Sequence, residues 1–84
     1  MYSKKYYLEH IKEFGEHNYI YDDIEGSVCY LAYINPGERG WFLYEEGYVG
    51  YAQKVHTSIV KNVEYFDDKV IVETQNTRFT FVLI

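Results

Sequence analysis

Cysteine and proline are almost missing from this 84-residue chain: each occurs once, as Cys29 and Pro36. A lone thiol forms no intrachain disulfide, so the fold is expected to hold by its core alone, as suits a reducing cytoplasm. Glycine is sparse as well, at six residues. Gly37, Gly40, Gly47 and Gly50 are spread through turn-like stretches, outside the strand–loop–helix setting that a phosphate-cradling loop needs. No apolar run is long enough to span a membrane. Charges interrupt the opening MYSKKYYLEHIKEF, so it is not read as a signal peptide. Positive charge is in deficit, with 8 Lys and Arg against 13 Asp and Glu, a net charge of −5. That balance argues against direct nucleic-acid binding through the phosphate backbone. It leaves open an acidic surface that meets a basic partner.

Aromatic residues are what the chain has in excess: 11 Tyr, 5 Phe and 1 Trp. A single domain of this length buries only about 60–65% of its unfolded surface. Not every aromatic ring fits inside such a core. Tyr supplies an apolar face with one polar handle, so some tyrosines are expected on a binding surface.

Read along the chain, Ser3 caps an expected helix from Lys4 to about Phe14, with Tyr7, Leu8, Ile11 and Phe14 as its apolar stripe and Gly15 as a left-handed stop. Tyr19 to Tyr21 reads as a short strand and Asp22 to Gly26 as a loop. Ser27 to Ile34 is apolar on both faces and reads as a central strand. Asn35-Pro36-Gly37-Glu38 carries the residues of a type II turn. Arg39 to Glu45 is the next strand, Glu46-Gly47 turns, and Tyr48 to Gln53 continues. His56 to Phe66 and the Asp67-Asp68 turn lead into the clearest segment, VETQNTRFTF. It reads as a hairpin with Gln75-Asn76 as its loop and Asn76 suited to positive φ. Glu73 then faces Arg78, Val72 faces Phe79 and Val70 faces Phe81. The expected fold is α+β: an N-terminal helix packed on a bent antiparallel sheet or small open barrel of five to six strands. A terminal strand ending at Ile84 would leave an edge for a second copy, so a homo-oligomer is compatible with this reading.

The C-terminal half resembles small proteins of phages and mobile elements of Gram-positive bacteria. The residues that carry the likeness are His56, Thr57, Ser58, Ile59 and Val60, then Val72, Thr74, Asn76, Thr77, Phe79 and Phe81, where the pattern has Tyr in place of Phe79. The likeness covers roughly residues 38–84, with Gly40-Trp41-Phe42 inside it. It implies a mobile-element context, and it supplies no catalytic residue.

No constellation for catalysis stands out. Cys29 lies among apolar residues on an expected core strand, where a thiol is an inert small hydrophobe. His10, His17 and His56 lack zinc-ligand spacing, so neither a metal nor another cofactor is expected. The carboxylates of Asp22-Asp23-Glu25, Glu45-Glu46 and Asp67-Asp68 read as solvated turn acids. Arg39 to Tyr44 combines Arg with aromatics and is either a core strand or a contact surface. Arg39, Trp41, Tyr44, Tyr48, Tyr51 and His56 are the candidate binding residues. Two functions follow. The first is a non-catalytic protein that engages a host protein, a defence component by the resemblance, through an acidic, Tyr-rich surface. The alternative is a small-ligand protein, a homo-oligomer that sequesters a nucleotide-like signal, with aromatics, Arg39, His56, Thr57 and Ser58 lining a pocket between protomers.

Overall fold

The computed structural model describes residues 4–45 and 52–84. Six antiparallel strands follow one another round a closed barrel, each paired with its sequence neighbours and β1 with β6. They are β1 (Tyr6–Glu13), β2 (Val28–Tyr33), β3 (Arg39–Glu45), β4 (Ala52–Tyr65), β5 (Lys69–Thr74) and β6 (Thr77–Leu83). A short helix, α1 (Ile20–Ile24), sits between β1 and β2. The expected α+β layering is thereby overturned. The barrel is closed, and β6 pairs on both sides, so the free terminal edge inferred for oligomer pairing does not exist.

Residues 6–13 form a strand where a helix was expected. The reason is a bulge. The β1–β6 register shifts between Leu8 and His10, so the inward residues fall at Tyr6, Leu8 and then Ile11. One extra residue turns a period of two into a step of three, which imitates helical spacing. Gly15 does not adopt the left-handed conformation; only Gly26 and Gly37 have positive φ among the described residues. The one helix among the described residues falls instead on residues read as strand and loop. Asn18 Oδ1 accepts the Ile20 N–H (3.2 Å), and Asp22 and Asp23 occupy the first turn, where the helix dipole favours negative charge. Gly26, at φ +89, lets the chain leave it. Ile24 is fully buried, and Tyr21 packs edge-on against Phe79 at 5.5 Å.

The other strands alternate as a half-buried sheet requires. In β3, Gly40, Phe42 and Tyr44 face inward, while Arg39, Trp41, Leu43 and Glu45 face outward. Phe42, Phe79 and Phe81 fill the centre, with Phe42 edge-on to the other two at 5.5 and 5.2 Å. The β5–β6 hairpin has the expected register, with Glu73 opposite Arg78, Val72 opposite Phe79 and Val70 opposite Phe81. Its turn differs in one respect: no non-glycine described residue has positive φ, Asn76 included. Thr74 holds this turn, its Oγ1 donating to Thr77 O and accepting the Thr77 N–H, both at 3.1 Å. The Asn35–Glu38 turn matches expectation, with Gly37 at φ +90 and the Glu38 N–H on Asn35 O at 3.3 Å.

Register shifts occur at four of the six seams: β1–β6, β2–β3, β3–β4 and β4–β5. Bulges add bend and twist, which strands this short need in order to close. At one of them, Gly40 sits where β2, β3 and β4 crowd together. A Cβ there would lie 2.8 Å from the Tyr33 carbonyl oxygen and 3.0 Å from Ile34 Cδ1. Gly40→Ala should therefore cost about 1–3 kcal/mol in urea unfolding. Gly15→Ala, with open space around the added methyl, should stay within about 0.5 kcal/mol of the parent. Equal effects at the two sites would contradict this packing.

Candidate functional site

Strand register arranges the outward side chains of β2, β3 and β4 into two rows. Tyr30 lies opposite Leu43, which lies opposite Lys54. Tyr33 lies opposite Trp41, which lies opposite His56. The Lys54 ammonium sits 4.2 Å from the Trp41 ring centroid, a cation–π distance. The tyrosine hydroxyls at the rim donate to carboxylates, Tyr30 to Glu45 and Tyr33 to Glu38, each at 2.6 Å. The bond to Glu45 raises the Tyr30 pKa above its usual 10.0, because losing the proton would set two negative charges together. This face is aromatic at its centre, where the Lys54 ammonium lies over Trp41, and carries Glu38 and Glu45 at its edge.

The candidate binding residues divide across it. Trp41 and His56 meet on the outer face as cross-strand neighbours. Arg39 is outward too, but lies past the bulge that separates it from Trp41. Tyr44 is only 8% exposed and belongs to the core, so it is not part of this surface. Tyr48 and Tyr51 lie outside the described residues. The strand Arg39–Glu45 is thus core on one face and surface on the other. Tyr30, Tyr33 and Lys54 were missed by sequence reasoning. Their signal is alternation in β2 and β4, and it becomes a patch only once the bulged register is known.

Arg39 instead reaches an open cleft of about 370 Å³, whose lining includes Arg39, His56, Ser58, Asn18, Gln75 and Asn76. Arg39 Nε donates to Thr57 O at 3.1 Å, which anchors the guanidinium at its inner end. Thr57 is buried and accepts the Gly40 N–H at 3.0 Å. Ser58 Oγ donates to Thr74 Oγ1 at 2.8 Å, tying β4 to the β5–β6 turn. A second cleft, about 620 Å³, adjoins this one through Asn18, Tyr21 and Asn76 and is lined by Glu13, Glu16 and His17.

His17 bridges two carboxylates. Its Nδ1 is 2.6 Å from Glu13 Oε1 and its Nε2 is 2.9 Å from Asp22 Oδ2. Glu13 also accepts the Asn18 N–H at 2.6 Å, so the carboxylates of this segment organise a loop rather than merely solvate a turn. Hydrogen bonds to Asp22 first, and Glu13 second, raise the His17 pKa above 6.5. The native state holds this proton more tightly than the unfolded chain does. The resulting stabilisation is therefore complete below 6.5 and is lost as pH rises through the raised value. In a histidine C–H titration by NMR, Asp22→Asn should lower the His17 pKa more than Glu13→Gln. A His17 midpoint unmoved by both would contradict the clamp.

Cys29 is fully buried, and desolvation first, with the Glu45 charge second, pushes its thiol up to about 12. An aromatic disulfide reagent at about pH 8 should modify it only at the rate of global unfolding. Modification faster than unfolding would contradict its burial. Stability should also decline with pH between 9.0 and about 12, as the unfolded thiol ionises first. Among the described residues, no group of three His, Cys, Asp or Glu could hold a metal ion. No helix among them is long and apolar enough to cross a membrane.

No protein-family model matches this chain, and no curated protein or solved structure matches it either.

Proposed function

We propose that this protein is a non-catalytic binding protein, and that the outer face of β2, β3 and β4 docks a protein partner with a basic surface. The two register rows, Tyr30–Leu43–Lys54 and Tyr33–Trp41–His56, carry this reading. Trp and Tyr beside aliphatic neighbours are the residue types that concentrate binding energy in protein interfaces. Their ring positions are set by strand pairing and, for the tyrosines, by bonds to Glu45 and Glu38. Little side-chain freedom remains to be lost on association. Glu38 and Glu45 at the rim and the net charge of −5 favour a partner of opposite sign. That the partner is a host protein, and a defence component, rests on the resemblance of residues 38–84 to phage and mobile-element proteins.

The test compares proteins retained from bacterial lysate by the immobilised wild type and by Trp41→Ala, Tyr33→Ala and Tyr65→Ala. Tyr65 is 71% exposed and lies outside both rows, so it serves as the control. One protein retained in stoichiometric amount by the wild type and Tyr65→Ala, and lost with the other two variants, is the expected result. Binding should weaken on the order of 30-fold or more for Trp41→Ala, the scale of an interface hot spot. A partner retained equally by all four proteins would overturn this surface, as would self-association of the wild type that Trp41→Ala abolishes.

A further inference from the structure

We propose that the cleft beside the β5–β6 turn binds a small phosphomonoester, its phosphate held at Arg39 and His56 and its remaining part uncharged or cationic. This site borders the protein-docking face and shares His56 with its Tyr33–Trp41–His56 row, whereas Arg39 belongs to neither row.

Four observations lead there. First, Arg39, His56, Thr57, Ser58, Gln75 and Asn76 line this cleft, and among the described residues no carboxylate does. In a chain with 13 acidic residues that is an unusual neighbourhood. Second, Arg39 is anchored and yet unneutralised. Its Nε is occupied by Thr57 O, and among the described residues its guanidinium has no ion pair, in contrast to Arg78, which pairs with Glu73 at 2.9 Å. A guanidinium held at Nε still presents its terminal nitrogens as a fork, the geometry that suits phosphate oxygens.

Third, donors outnumber what a carboxylate would use. Asn18 Oδ1 already accepts the Ile20 N–H, which leaves its amide NH2 as the free end. The backbone N–H groups of Gln75 and Asn76 already bond Ile59 O and Thr74 Oγ1, so it is their side-chain amides that carry further N–H groups, and the His56 ring carries one more. Three phosphate oxygens engage such a set; a two-oxygen carboxylate would leave donors idle. Fourth, charge gives the ligand a direction. The adjoining cleft carries Glu13 and Glu16, so a second anionic group there would be repelled. At about 370 Å³, the Arg39 cleft lies within the roughly 300–1,000 Å³ of small-molecule sites and holds more than a bare phosphate ion.

The test is a titration followed in amide proton–nitrogen NMR spectra at fixed ionic strength, with adenosine monophosphate, inorganic phosphate and succinate as probes. Adenosine monophosphate should produce saturable shifts at the amides of Ser58, Gln75 and Asn76 by millimolar concentration, and inorganic phosphate weaker shifts at the same residues. Arg39→Gln should weaken the nucleotide roughly tenfold or more, the scale of a lost charge-assisted bond, while the spectrum elsewhere keeps its native dispersion. Arg78→Gln should leave binding unchanged. Absence of saturable shifts with both phosphate probes would overturn the site. Equal weakening by Arg39→Gln and Arg78→Gln would reduce it to general charge attraction, and succinate binding as tightly as the nucleotide would overturn the phosphate assignment. The Arg39→Gln outcome is independent of the aromatic face, because Arg39 lies in neither row.

Discussion

Closure of the barrel depends on β1, which must satisfy two neighbours at once. Toward β6 it is paired along almost its whole length, from Tyr6–Leu83 to Glu13–Thr77. Toward β2 it is paired only at Tyr6–Cys29 and Tyr7–Val28, with Leu8 adding backbone bonds to Ser27 and Gly26. Past Leu8 the two strands part, and a bare gap there would expose unpaired backbone and the core beneath it. The chain closes the gap with α1. Ile24 enters the core, and Glu25 Oε2 accepts the Ile11 N–H at 2.7 Å where a strand carbonyl would otherwise stand. A carboxylate replaces a missing rung of the ladder, so backbone satisfaction continues across the seam.

The rest follows from that closure. A closed sheet has no free edge for another chain to extend, so contact with a partner must use side chains on the outer face. The inward positions are filled by Phe42, Phe79 and Phe81, by Tyr6, Tyr44 and aliphatic neighbours, and by the buried Thr57, Thr74 and Thr77. Other aromatics emerge outward, and alternation in β2 and β3 gathers Tyr30, Tyr33 and Trp41 on one side of the barrel, while Tyr7, Phe14, Tyr19, Tyr65 and Phe66 are exposed elsewhere. The bulges that close the barrel also crowd β3 against β4 at Gly40. They carry Arg39 away from the Trp41 row and toward the β5–β6 turn. One set of irregularities thus sets Arg39 apart from the aromatic face, with His56 at the boundary between face and cleft.

What was legible in the sequence, and what was not, divides along the same physical line. The β5–β6 hairpin was legible to the residue pair, because strict alternation and a two-residue loop specify its register. The Asn35–Glu38 turn was legible through Pro36 and Gly37, and the burial of Cys29 through its apolar neighbours. Residues 6–13 were misread because a single extra residue at the Leu8–His10 bulge shifts the apolar positions into helical spacing. The true helix was missed because five residues have little intrinsic helical tendency. It forms through tertiary contacts, with Ile24 in the core and Tyr21 against Phe79. Of the candidate site, Arg39, Trp41 and His56 were recognised by residue type. Their division between a face and a cleft was not, since it depends on register past a bulge. Tyr44 looked equivalent to Trp41 in composition and differs only in parity along the strand.

In this structure β1 is a strand shared between β2 and β6. The most direct measurement is the pattern of backbone nuclear Overhauser effects across residues 4–14 in the isotope-labelled protein. Cross-strand contacts are expected from Leu8 to Phe81, from Ile11 to Phe79 and from Tyr6 to Cys29, together with slow exchange of the Leu8 amide. Sequential contacts of the helical i to i+3 kind through Lys4–Phe14, with no contact between β1 and β6, would contradict this pairing.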